Sequence, residues 1–175
     1  MRVISGSYKG KKILIPKDKK TRPLKDLTKE SIFNILSHSN KFQSKISGST
    51  ILDLFSGVGS FGLECISRGA KKVVFCENHM AAINILKENI FEFGCQNKTK
   101  IITKNIFDKK NLEKLYNKKF ELIFLDPPYK EKRLINLLKE IIDLRLLKNN
   151  GIIIIHRHKK ENEIYPLKFK ILKIK

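Results

Sequence analysis

From residue 49 onward, short apolar runs alternate with longer stretches in which apolar residues recur every three or four positions. Thr50–Phe55, Lys72–Cys76, Lys100–Thr103, Phe120–Leu125 and Gly151–His156 are short and rich in Ile, Val, Leu and Phe, which predicts buried strands. Between them, Ser60–Ser67 closes at Arg68-Gly69 and Met80–Phe93 closes at Gly94, both of them helix stop signals. Lys132–Leu147 repeats Leu and Ile at helical spacing ahead of an Asn149-Asn150-Gly151 turn, and a shorter helix is expected around Asn111–Tyr116. Nearly all-apolar strands alternating with helices require a parallel sheet covered on both faces. The predicted fold is therefore α/β and doubly wound.

The preceding segment has a different texture. Arg2–Ser5 and Lys12–Ile15 flank Ser7-Tyr8-Lys9-Gly10 and predict a small hairpin. A basic loop follows, then a helix from Asp26 to Ser37 with Ile32, Phe33, Ile35 and Leu36 as its apolar face. We read residues 1–48 as an extension packed on the core and 49–175 as the catalytic domain, together one compact unit. A basic arm of this kind suits gripping a substrate.

Composition narrows the classes. A hydrophobic share of 41% in 175 residues supports a single core and excludes a disordered chain. No apolar run is long enough to cross a membrane, and Met1–Lys12 lacks the apolar centre of a secretory signal, so a cytoplasmic protein is expected. Cys65, Cys76 and Cys95 have no CxxC spacing and lie in or near apolar segments, which predicts buried thiols. Lys and Arg number 37 against 17 Asp and Glu, a net charge of +20. Coding bias toward Lys does not explain the shortage of balancing acids. Charge of this size predicts a polyanionic partner, with nucleic acid the natural one.

Two motifs carry chemistry. Ile51–Phe55 runs into Ser56-Gly57-Val58-Gly59-Ser60-Phe61-Gly62, a G-x-G-x-x-G between a strand and a helix. Its glycines serve a tight turn, close ligand approach and helix–strand packing. Glu77, at the end of the next strand, is placed to accept the hydroxyls of a ribose, which NAD and S-adenosylmethionine both carry. Asp53 lies inside an apolar strand, where a carboxylate needs a partner. Its candidate partners are the cationic amino group of a methionine moiety and the amides of the glycine loop.

The second motif is Asp126-Pro127-Pro128-Tyr129 at the end of the fourth strand. Two prolines fix the backbone and remove two amide donors, so that their neighbouring carbonyls point outward as a rigid acceptor set; Asp126 adds a carboxylate acceptor, and Tyr129 adds a flat ring. Acceptors beside a stacking platform suit the exocyclic amine of a base. Hydrogen bonds from that amine favour the nitrogen that develops charge in methyl transfer, and Asp126 can take the released proton. A base buried in a nucleic acid reaches such a pocket by flipping or from a loop.

Together these residues resemble the bacterial 16S rRNA guanine-N2 methyltransferases of the RsmD-like family. The resemblance runs over nearly the whole chain: GSYKGKK, Thr21-Arg22-Pro23, Asp26 with Glu30-Ser31-Ile32-Phe33-Asn34-Ile35-Leu36, LDLFSGVGSFGLE, Arg68-Gly69-Ala70 and LDPPY stand in family order. It implies a Rossmann-like class I methyltransferase acting on the guanine N2 amine, with S-adenosylmethionine held by Asp53, Phe55, Gly57, Gly59, Gly62, Glu77, Asn78, Asn105 and Ile106. It also implies that Asp126, Pro127, Pro128 and Tyr129 form the catalytic site. Arg22 and Asp26 would line the cleft, and Arg2, Tyr8, Lys9 and Lys11 of the hairpin would touch rRNA. The expected substrate is 16S rRNA within a 30S subunit or assembly intermediate, met by a monomer.

The chain departs from the family at several points. Asn105 stands where the family often has Asp, and Leu27 and Lys29 where it tends to have Arg. His156-Arg157-His158 replaces a common Glu; the two histidines share a strand face, but with no third ligand evident no metal is expected. The chain ends at Ile171–Lys175, where the family adds a last strand, so a shortened sheet with an exposed edge is expected. Two other functions fit parts of the pattern. A DNA adenine-N6 methyltransferase shares both motifs but generally needs a further domain to read sequence. A non-catalytic RNA-binding assembly factor would not need Asp126, Tyr129 and the three glycines intact.

Overall fold

The computed structural model describes residues 1–16, 24–38, 46–115, 117–157 and 164–172. Five strands, β1 (Thr50–Leu54), β2 (Lys72–Cys76), β3 (Thr99–Ile102), β4 (Phe120–Leu125) and β5 (Leu147–Ile155), form one sheet in the order β3-β2-β1-β4-β5. Every pairing is parallel. The order turns outward in both directions from β1, which opens a crevice at the C-terminal ends of β1 and β4, where such sheets bind ligands.

Strand alternation assigns the two faces. Ile51, Val73, Phe75, Leu122 and Phe124 point to a core shared with α1 (Asp26–His38), α2 (Ser60–Ser67) and α3 (Met80–Glu92). Leu52, Leu54, Val74, Cys76, Ile123 and Leu125 point to the other, under α4 (Lys109–Glu113) and α5 (Leu134–Asp143). α5 buries Leu134, Leu137, Leu138 and Ile141, the spacing of one helical stripe. The N-terminal segment joins the first core through Val3, Ile13, Leu24, Phe33 and Leu36. Its hairpin has a single antiparallel bridge, Arg2 with Lys12, and an amide–carbonyl bond from Gly10 to Val3 at 2.9 Å.

Some boundaries differ from expectation. Phe55 leaves the strand because its φ is 60°. The fifth helix stops at Asp143 rather than Leu147, since Arg145 takes φ 50° and Leu147 already pairs with Phe120. Asn149-Asn150-Gly151 is not a turn before the strand but an irregularity inside β5, with Asn150 at φ 61° and a register shift opposite Phe120–Leu122. The fourth helix begins two residues earlier than Asn111, where the Asp108 carboxylate caps the Lys110 amide at 3.1 Å. Cys65, Cys76 and Cys95 are buried free thiols, as expected, and burial pushes all three upward in pKa.

α2 deserves its glycines. Gly59, the residue before the helix, sits at φ 84°, a left-handed conformation. At Gly62 a Cβ would stand 2.3 Å from Phe75 Cε1 and 2.8 Å from Val73 Cγ1, both in β2 beneath the helix. Gly62→Ala is expected to cost about 1–3 kcal/mol through overpacking. Urea denaturation measures it, and an unchanged midpoint would refute the claim that helix and sheet touch too closely for a methyl group.

Candidate active site

The glycine loop is held by two carboxylates from neighbouring strands. Glu77 follows β2; its Oε2 accepts the Gly57 amide at 2.8 Å, and Oε1 accepts the amides of Asn78 and His79, both at 2.9 Å. One side chain thus ties the glycine loop to the start of α3. Asp53, in β1, is fully buried; its Oδ2 accepts the Gly62 amide at 3.0 Å. Its Oδ1 is buried and finds no hydrogen-bond partner among the described residues. Burial raises the Asp53 carboxyl well above the ordinary range; the Gly62 hydrogen bond opposes this, and the charges of Asp126 and Glu77 add to it.

These carboxylates flank two adjoining clefts that share Phe55. The first, about 310 Å³, is lined by Leu24, Asp53, the loop Ser56–Val58, Phe61, Phe124 and Asp126 among others. The second, about 250 Å³, is lined by Phe55, Glu77, Asn78, Asn105, Ile106 and Phe107 among others. Phe55 and Phe107 lie with ring centroids 5.6 Å apart, and the Arg133 guanidinium covers Phe107 at 3.8 Å. The geometry suits an elongated ligand with a cationic end at the orphaned Asp53 oxygen and a flat, hydroxylated end between Glu77 and the aromatic pair.

Asn105 is exposed, and its Oδ1 accepts the Phe107 amide at 3.0 Å. An Asp in that position would make the same bond, so the local turn survives the replacement.

Asp126 follows β4, its amide donating to the Leu54 carbonyl at 3.4 Å, and lines the first cleft together with Asp53. Pro127 is buried, while Pro128 and Tyr129 are exposed. The Pro128 carbonyl accepts from Glu131 and from Arg157 Nη1, the latter also reaching the Tyr129 carbonyl, while Nη2 takes the Glu131 carbonyl at 2.9 Å. Of the carbonyls expected to point outward, that of Pro128 is thus occupied within the protein. A partner missing from the sequence reading is His156, whose Nδ1 lies 2.8 Å from Asp126 Oδ1.

The N-terminal residues divide. Arg22 lies outside the described residues, as do Thr21, Pro23 and His158. Among the described residues, Leu24 lines the first cleft. Asp26 is exposed and pairs with Lys29 at 3.4 Å. Lys29 is fully buried, reaching the Arg2 carbonyl at 2.8 Å and Ser60 Oγ at 3.4 Å, so the replacement of a family Arg falls inside the protein. Tyr8 meets Phe93 edge-on at 5.2 Å, and the Lys11 ammonium bonds the Glu92 carbonyl and covers Phe93. Arg2 and Lys9 are exposed. A stacked column, Phe33–Phe61 at 5.1 Å and Phe61–Phe124 at 4.0 Å, connects α1 to the strand that carries Asp126.

A family model described as Conserved hypothetical protein 95 matches residues 1–175. The Ribosomal RNA small subunit methyltransferase D of Buchnera aphidicola is 35% identical over 176 residues, 99% of this chain and 86% of that protein. The protein of the same name from Haemophilus influenzae is 33% identical over 181 residues, covering 100% and 88%. Among solved structures, the Haemophilus influenzae protein HI0767 superposes with a TM-score of 0.74 at 29% identity, covering 99% of this chain and 90% of that one.

Proposed function

Since this chain belongs to the family described as Conserved hypothetical protein 95, we propose that it is an rRNA methyltransferase that uses S-adenosylmethionine and modifies the exocyclic N2 amine of a guanine in 16S rRNA. The fold is the Rossmann-like α/β arrangement of class I methyltransferases. One observation carries the reading: Asp53, with an orphaned, buried carboxylate oxygen, lines the same cleft as Asp126. A buried acceptor without a donor is costly, and a ligand ammonium supplies one.

The residues present fit the cofactor. Asp53 and the glycine loop suit its amino-acid end, and Glu77, Asn78 and Ile106 with the Phe55–Phe107 pair suit its nucleoside. When bound, it supplies an electrophilic methyl group on a sulfonium sulfur. Asp126 then accepts an N–H of the base amine, stabilises positive charge on that nitrogen and takes the proton it sheds. Tyr129 offers a ring face for stacking. The net charge of +20 supports RNA as the carrier of the base, with a 30S particle or assembly intermediate as substrate and a monomer as the acting form.

Transfer of labelled methyl to unmethylated 30S particles, free rRNA and DNA, followed by nucleoside analysis, tests the reading. One labelled N2-methylguanosine in rRNA is expected. N6-methyladenine in DNA would overturn it in favour of a DNA enzyme, and cofactor binding without transfer in favour of an assembly factor. Glu77→Gln replaces one carboxylate oxygen by a donor that opposes backbone N–H groups. It is expected to weaken S-adenosylhomocysteine binding by about 10- to 100-fold, the worth of one or two charge-assisted bonds, read by calorimetry.

A further inference from the structure

β5 ends at two side chains that both turn onto the loop after β4. The His156 amide donates to the Leu125 carbonyl at 2.9 Å, carrying the parallel ladder one residue beyond the strand and fixing where the ring stands. From there Nδ1 meets Asp126 Oδ1 at 2.8 Å, with both side chains about three-quarters shielded from solvent. Arg157 holds the backbone of the same loop through the carbonyls of Pro128, Tyr129 and Glu131.

We propose that His156 is a positioning residue for methyl transfer: it holds one oxygen of Asp126, leaves the other for the base amine, and through its own protonation sets how much negative charge Asp126 presents. The inference rests on the methyl-transfer reading above. The hydrogen bond to Asp126 raises the His156 pKa above its ordinary 6.5, burial opposes this, and the charge of Asp126 adds to it. Other charged groups stand further along the same chain of contacts. Asp53 in β1 interacts with Asp126 from across the cleft and with Glu77 beyond it, Arg157 is turned to loop carbonyls, and Glu131 is paired with Arg133 at 2.6 Å.

The sign follows from the charge on the amine. Below the His156 pKa, the imidazolium cancels the Asp126 carboxylate and positive charge developing on nitrogen is poorly stabilised. Above it, the neutral ring still donates Nδ1–H while the carboxylate keeps its full charge. The turnover rate therefore rises with pH through the raised His156 pKa. The stability that the pair contributes runs the other way: it is fully present below about 6.5 and is lost as pH rises through the raised value.

Two measurements on the full chain test this. An NMR titration of the His156 ring should give a pKa above 6.5 in the wild type, falling in Asp126→Asn. In parallel, kcat against pH should show an acid limb at the same pKa on 30S particles. His156→Gln keeps a donor but does not titrate, so it should retain most of the rate with the limb gone and KM little changed. His156→Ala should lose about tenfold or more in kcat as Asp126 is released. A ring that titrates independently of Asp126, or a limb that persists in His156→Gln, overturns the proposal and leaves the enzyme assignment standing. A coupled pair in a protein that methylates neither rRNA nor DNA overturns the assignment, and the positioning role with it.

Discussion

Asp126→Asn is expected to lower kcat by about 10²- to 10³-fold while cofactor affinity stays within about threefold of wild type. The magnitude is that of removing one preorganised electrostatic partner from a reacting centre. Asn keeps the shape and one acceptor oxygen, so the bond to His156 and the run of the loop after β4 survive. What disappears is negative charge facing a nitrogen that becomes positive as its methyl bond forms. The cofactor contacts proposed here are made by other groups, namely Asp53, the glycine loop and Glu77. Asp126 does act on one of them, since its charge helps hold the Asp53 carboxyl high. Its neutralisation should let Asp53 ionise more readily, and any change in affinity should be a modest gain. Single-turnover transfer on 30S particles and calorimetry with S-adenosylhomocysteine separate the two quantities. Loss of binding in this variant would refute the division of labour between the two carboxylates.

The parts of the site that were legible in the sequence are those whose partners stand nearby or whose pattern is periodic. Strand and helix alternation exposed the sheet because buried parallel strands are apolar on both faces. G-x-G-x-x-G after a strand located the loop, and the close contact of Gly62 with Phe75 and Val73 is the packing its third glycine was expected to serve. Glu77 and Asp53 stood out as acids among apolar residues, but the bonds they make inside the protein are to loop and helix amides. Legibility failed where partners come from distant segments. His156 meets Asp126 across 30 residues, and nothing local distinguishes its ring from a solvated one. Leu24 reaches the cleft although neither periodicity nor chemistry marks it. The overlong fifth helix failed for a different reason: Leu144, Leu146 and Leu147 keep the sequence apolar past the helix end, yet Leu147 belongs to β5, and apolar character alone does not separate a helix end from a strand start.

Glu64 is the clearest case of a residue whose role exists only in three dimensions, and its loss should have the largest effect on stability. It lies on α2, all of whose residues are buried, and is itself inaccessible to solvent. Its carboxylate accepts the Ile4 amide at 2.7 Å, the Ser5 amide at 3.0 Å and Arg68 Nε at 2.8 Å, with Lys29 Nζ at 3.9 Å. Lys29 is equally buried, and burial pulls its pKa down while Glu64 and Asp26 hold it up. Glu64→Ala leaves two backbone N–H groups and Arg68 Nε without their acceptor, and it strips the Lys29 ammonium of its buried counter-charge, leaving it the Arg2 carbonyl and the exposed Asp26. Breaking a buried pair from one side costs about 3–5 kcal/mol. The loss should be concentrated in the hairpin, so hydrogen exchange at Val3, Gly10 and Ile13 should accelerate before the sheet unfolds. Replacing both charges, as Lys29→Met with Glu64→Leu, removes the buried ammonium whose remaining counter-charge is the exposed Asp26, and should recover part of the deficit in urea denaturation. A double variant no more stable than Glu64→Ala would show that the backbone amides, not the ion pair, carry the cost. The two results also differ in function. Leu24 follows the hairpin in sequence and lines the cleft beside Asp126, so a loosened hairpin should raise KM for the 30S particle. Lys29→Met with Glu64→Leu should restore KM only as far as it restores hairpin protection.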